Sequence, residues 1–262
     1  MIYRIDEFIE NRINPITQCE YDGSWIMLIL TDSDEYQKFV GSKNECTYTV
    51  KISRRKCKDW MMDIGDFISF NEANGKNIIL VMPEIDYLTV QDYYSGHSYN
   101  ESVHRESEPV VLVHSTSMAN WKKIQQDGML KCWSRLKREN KTSETVPIGT
   151  ALGDPVEFSD YIMFGEGITG EIVVNSKQTG RITMDVDSEY LTGARLYFDA
   201  RKIAEAGLLI RDGSHLKVRD TLPLQPYLIW SATWENVGLE SQISTPRIFA
   251  KKADQAFQRH KI

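Results

Sequence analysis

Between Asp92 and Pro109 the chain reads DYYSGHSYNESVHRESEP, a polar stretch with neither a helical nor a strand period that ends in proline. No buried element can be drawn through it, so the apolar patterning on either side must be satisfied separately. The expectation is an N-terminal module over 1–92, a linker over 93–109 and a C-terminal domain over 110–262. In the first part, YDGSWIMLIL, CTYTVKI, GDFISF and NIILVM are apolar runs of strand length, and Asn74-Gly75 between the last two is a hairpin cue. Several short strands in this span predict a small β-barrel or sandwich. In the second part Val110–Val113 reads as a buried strand and Met118–Gln126 as an amphipathic helix stopped by Gly128. YIMF, GEIVV, RITMDV, ARLYF, LLI, HLKV and PYLIWSAT are strand candidates, ARKIAEAG is helical, and TPRIFAKKADQAFQ is a closing helix. The class is α+β with few helices, without internal repeats.

Charge narrows the partners. With 31 Lys and Arg against 37 Asp and Glu, the 262 residues carry a formal net charge of −6, so any contact with a polyanion has to come from a local patch. KISRRKCKDW supplies one: Lys51, Arg54, Arg55, Lys56 and Lys58 lie beside Trp60 and near Tyr48, a mix of cations and aromatics suited to single-stranded nucleic acid. Cys19, Cys46, Cys57 and Cys132 form no CxxC pair and have no histidine at zinc spacing. They read as reduced structural thiols, and the absence of a signal-like or membrane-length apolar run places the expected protein in the cytoplasm.

VVLVHSTSMANWKKIQQDGML resembles the first motif of the ADP-ribosyltransferase fold, a strand ending in His-x-Ser/Thr followed by a helix that runs to glycine. The helix is especially similar to that of poly(ADP-ribose) polymerases. GARLYFDARKIAEAG is similar to their strand-and-helix segment containing the tyrosine that stacks on nicotinamide. The resemblance implies a split β-sheet domain with NAD as substrate. It implies that His114 holds the adenosine ribose, the Ser115 backbone grips the nicotinamide carboxamide, Thr116 bonds the nicotinamide ribose and Tyr197 stacks on the nicotinamide ring. Glu171, which opens GEIVV, resembles the catalytic glutamate of DNA-targeting ADP-ribosyltransferase toxins. Glu157 competes for that role, and the slot used by polymerases offers only Gln225. Arg135, with Lys137 and Arg138, follows the first helix where a pyrophosphate or a nucleic-acid backbone could be neutralised.

The order VHSTS, DGML, VEFS, RITMDVD, GARLYF and LPLQPYL also resembles the NAD-dependent RNA 2'-phosphotransferases. Val113 and Glu157 stand where that family has arginine and histidine on the RNA phosphate, so phosphate transfer is the alternative to ADP-ribosylation of a protein or nucleic-acid acceptor. A non-catalytic nucleotide- or nucleic-acid-binding module is the third reading. Arg211, Asp212 and His215 around a glycine turn are a possible acceptor site, and a toxin or defence setting goes with transferases of this compact kind.

Overall fold

The computed structural model describes residues 1–8, 12–41, 47–165 and 167–260. The chain is mixed α and β and divides into two compact units. Unit 1 comprises Met1–Glu101, Gly149–Ser159 and Ile210–Leu216; unit 2 comprises Ser102–Ile148, Asp160–Leu209 and Lys217–Ile262. Among the described residues no helix is long and apolar enough to cross a membrane.

Unit 1 holds β1 (Ile2–Ile5), β2 (Trp25–Thr31), β3 (Lys38–Gly41), β4 (Tyr48–Ser53), α1 (Trp60–Ala73), β5 (Asn77–Val81) and α2 (Glu84–Tyr94). The five strands form one sheet in the order β1-β5-β2-β4-β3, parallel except for the antiparallel edge strand β3. This corrects the expected barrel or sandwich. Parallel strands need a crossover rather than a hairpin, and α1 supplies it between β4 and β5. GDFISF is therefore not a strand but the middle of α1, whose Ile64, Phe67, Ile68 and Phe70 are all buried. Asn74-Gly75 closes that helix. Gly75 sits at φ 71°, and its N–H bonds the Glu72 carbonyl while Lys76 N–H bonds that of Asn71. A helix end and a tight hairpin demand the same left-handed backbone, which is why the dipeptide misleads. Trp25, Met27, Ile79 and Val81 pack on one side of the sheet with Tyr3 and Ile5.

Two later segments complete unit 1. Phe158, in a short 3-10 turn, meets the Tyr48 ring edge-on at 5.7 Å. Gly213, at φ 84°, lies so close to α1 that a Cβ would fall 2.4 Å from the Asp63 carbonyl oxygen.

The remaining elements are β6 (Val111–Thr116), α3 (Met118–Asp127), β7 (Met129–Lys131), α4 (Trp133–Arg138), α5 (Ile148–Leu152), β8 (Tyr161–Met163), α6 (Thr169–Thr179), β9 (Tyr190–Leu191), β10 (Ala194–Asp199), α7 (Ala200–Glu205), β11 (Leu209–Arg211), β12 (Leu216–Arg219), β13 (Thr221–Pro223), β14 (Leu228–Ala232), β15 (Ile243–Ser244) and α8 (Pro246–His260). In unit 2 the principal sheet is β14-β10-β6, antiparallel throughout, and small ladders pair β8 with β12, β7 with β13 and β9 with β15. Two expected strands are corrected. GEIVV is the first half of α6, and RITMDV forms no strand. One face of the principal sheet buries Tyr197 and Ala232 against Val174 of α6 and Phe249, Ala253 and Phe257 of α8. Cys57 and Cys132 are buried and Cys19 is exposed, all as free thiols; Cys46 lies outside the described residues.

Candidate functional site

Strand β6 carries His114, Ser115 and Thr116 at its C-terminal end. Its hydrophobic run satisfies the sheet core, and Ser117 stops the strand by accepting the Asn120 N–H as the N-cap of α3. Side chains alternate across a strand, so His114 and Thr116 share one face while Val113 and Ser115 share the other. His114 pairs in register with Leu196, and Ser115 with Arg195.

His114 is half-buried, with Nδ1 3.0 Å from the Met163 carbonyl oxygen and its ring edge-on to Phe164 at 6.4 Å. A carbonyl only accepts, so Nδ1 carries the hydrogen and Nε2 is left as an acceptor. Burial pushes the imidazole pKa down and the Met163 bond opposes it, so the environment favours the neutral ring. A depressed histidine pKa contributes stability that is present above about 6.5 and lost as pH falls through the folded value. The His114 ring protons are therefore expected to titrate below the free-imidazole range in an NMR pH series, and a midpoint above it would contradict this environment.

Beyond Val113 no strand pairs with the other edge of β6 among the described residues. Gly165 N–H bonds the Val113 carbonyl at 2.9 Å on the side away from β10. Main-chain groups point the same way at every second residue, so the Ser115 N–H and C=O face that side too. No strand is paired with them there among the described residues. Thr116, 8% exposed, follows on the His114 face.

Behind Ser115 lies a buried charge network. Glu171, in the first turn of α6 and 0% exposed, accepts from Ser115 Oγ at 2.6 Å and from the Tyr190 hydroxyl at 2.6 Å. Arg195 Nη1 stands 3.5 Å from the same carboxylate. Burial raises the Glu171 pKa, and the bonds from Ser115 and Tyr190 and the Arg195 charge oppose it. Arg195 also donates to Asp254 at 3.0 Å and to the Gly167 carbonyl at 2.8 Å. Sequence reasoning missed Arg195, although an arginine inside the apolar run GARLYF signals a buried carboxylate partner.

Tyr197 does not meet the expectation placed on it. It is 2% exposed, stacked on Phe257 with centroids 4.1 Å apart and planes 8° from parallel, and its hydroxyl donates to Asp254 at 2.8 Å. Alternation puts it with Arg195 on the α8 face, opposite His114, so the ring offers no surface to a nicotinamide. Glu157, in unit 1, pairs with Lys76 at 2.8 Å. Gln225 precedes the cis Pro226 ahead of β14.

The basic clusters are largely matched by acids. Arg135 bonds Glu139 at 2.6 Å and Asp220 at 3.2 Å, Arg138 bonds Asp220 at 2.9 Å, and Lys137 lies over the Trp133 ring. In unit 1 Arg54 bridges Asp32 and Asp86, while Arg55 and Lys56 lie within 4.0 Å of Asp34. Lys51 is half-buried on β4 and Lys58 is exposed. The stretch that is basic in sequence is therefore mostly compensated in space, which removes much of its attraction for a phosphate backbone. Asp212 is buried and accepts from the main chain of Ser214 and His215, with His215 Nδ1 at 3.3 Å, so this turn caps itself.

No protein-family model, curated protein or solved structure matches this chain.

Proposed function

We propose that unit 2 binds NAD at the end of β6, cleaves nicotinamide from it and transfers the ADP-ribose to a protein or nucleic-acid acceptor. The observation that carries this reading is the pairing of His114, whose surroundings favour the neutral ring and leave Nε2 as an acceptor, with a main-chain edge at the adjacent Ser115 that meets no strand among the described residues. A ribose hydroxyl donates to such an imidazole. A carboxamide donates through its NH2 and accepts through its carbonyl oxygen, and the Ser115 C=O and N–H complement one of each. In the reaction the bond between the ribose anomeric carbon and the nicotinamide nitrogen breaks, the nitrogen keeps the electron pair, and the acceptor's nucleophile bonds the sugar carbon and loses its proton. Tyr197 has no part in it.

Labelled NAD incubated with the protein and a cell extract tests the reading. Nicotinamide release and label transfer are expected from the wild type, and His114→Ala should lower release by about tenfold, the upper end for one neutral hydrogen bond. Protease or nuclease sensitivity of the label identifies the acceptor class. Release that is indifferent to His114 refutes the assignment.

The burial of Glu171 favours a second reading, a nucleotide-binding module without transfer, because a fully covered carboxylate does not touch a substrate. NAD binding without nicotinamide release distinguishes it. RNA 2'-phosphate transfer gains no support from the two positions that would hold the phosphate: Val113 packs against the sheet core and Glu157 is a carboxylate paired with Lys76.

A further inference from the structure

We infer that Glu171 and Arg195 are positioning residues, which hold the Ser115 end of β6 in the orientation that grips the carboxamide. The inference rests on the NAD reading above, and it changes the role of Glu171 from reacting carboxylate to internal brace. Three observations carry it. First, Glu171 spends one oxygen on Ser115 Oγ and the other on the Tyr190 hydroxyl, each at 2.6 Å, and is 0% exposed. Second, α6 is pressed onto β6 at this point: a Cβ at Gly170 would fall 2.6 Å from Ser115 Oγ, so only glycine lets the helix bring Glu171 this close. Third, Arg195, 2% exposed, is anchored by Asp254 of α8 and the Gly167 carbonyl, and its buried Nη1, which makes no hydrogen bond among the described residues, stands 3.5 Å from Glu171. The tie therefore runs Ser115–Glu171–Arg195–Asp254, from the strand end to the closing helix.

The positions of the groups separate bracing from chemistry. Ser115 meets Glu171 through its hydroxyl, on the α6 face, while its main-chain N–H and C=O lie in the sheet plane. A brace needs an acceptor at position 171, which glutamine retains, whereas stabilising positive charge on the sugar needs a carboxylate.

The test measures NAD affinity by calorimetry, and kcat for nicotinamide release, in the full chain. Ser115→Ala removes only a hydroxyl and is the variant least at risk of misfolding. It and Glu171→Ala are each expected to weaken NAD binding about tenfold, the lower end for a hydrogen bond to a charged group. The double variant should be little worse than either alone, because both remove the same tie. Glu171→Gln should restore most of the affinity lost in Glu171→Ala. If instead Glu171→Gln and Glu171→Ala both lose about 10²–10³ in kcat with affinity intact, Glu171 is a charge-stabilising catalytic residue and the inference is wrong. If the wild type binds NAD and Ser115→Ala and Glu171→Ala bind it equally well, the brace is refuted while the NAD reading stands. A wild type that binds no NAD overturns both.

Discussion

Gly193→Ala is expected to destabilise unit 2 by about 3 kcal/mol or more, the upper range for forcing atoms into packed structure. A Cβ at Gly193 would lie 1.8 Å from the Thr116 carbonyl oxygen and 2.7 Å from the carbonyl carbon. These are main-chain atoms of β6, so no side chain can rotate away. Relief requires β10 to draw back from β6 where Ala194 pairs with Thr116, at the sheet end that carries the candidate site. Gly23→Ala is the control, since a Cβ there meets nothing within 4 Å, and it should stay within about 0.5 kcal/mol of wild type. Urea unfolding followed by tryptophan fluorescence measures both, and equal midpoints for the two variants would contradict the close approach of the strands.

Arg195→Met should cost a further large amount, about 3–5 kcal/mol, because it strips the cation from a buried pair and leaves the other partner in place. Asp254 is half-exposed and regains water, so the loss falls on Glu171. The pH dependence has a definite sign. Burial already raises the Glu171 pKa, and losing Arg195 raises it further. A carboxyl whose folded pKa is raised contributes stability that is present below its ordinary range and lost as pH rises through the folded value. The gap between Arg195→Met and wild type should therefore be narrow in acid and widen toward neutrality. Adding Glu171→Gln should close part of the gap at neutral pH and flatten its pH dependence. A gap constant with pH would mean that the carboxylate and the guanidinium do not interact.

How far these features were legible depends on whether a local pattern has one structural meaning. The β6–α3 unit was legible because a strand-length apolar run is followed directly by an amphipathic helix ended by glycine. Strand β10 and helix α8 were legible as well. In unit 1 the runs that form β2, β4 and β5 were found, but the edge strands β1 and β3 were not, and neither was the architecture. WIMLIL and NIILV are unbroken apolar runs, and runs of that kind belong to strands covered on both faces, as parallel strands are, rather than to a half-solvated barrel. Helix α1 was hidden because it is buried around much of its circumference, so Phe67, Ile68 and Phe70 are spread round it rather than lying on one apolar stripe. The Ile-Val-Val of α6 has strand propensity, and packing against β6 and α8 overrides it. At the site, the motif at His114 and Ser115 is local and could be read, whereas the placement of Tyr197 could not. Register and facing are set by which strands pair, and alternation then puts Tyr197 and His114 on opposite sides of one sheet.

The discontinuity of unit 1 bears on how the protein is made and how it can be divided. Synthesis releases 1–101 first, but Phe158 and Gly213, which cover Tyr48 and α1, emerge much later. Unit 1 therefore cannot close until residue 216 has left the ribosome, by which time most of unit 2 has emerged as well. A fragment ending near residue 101 would therefore lack the Phe158 and Gly213 segments that pack on Tyr48 and α1.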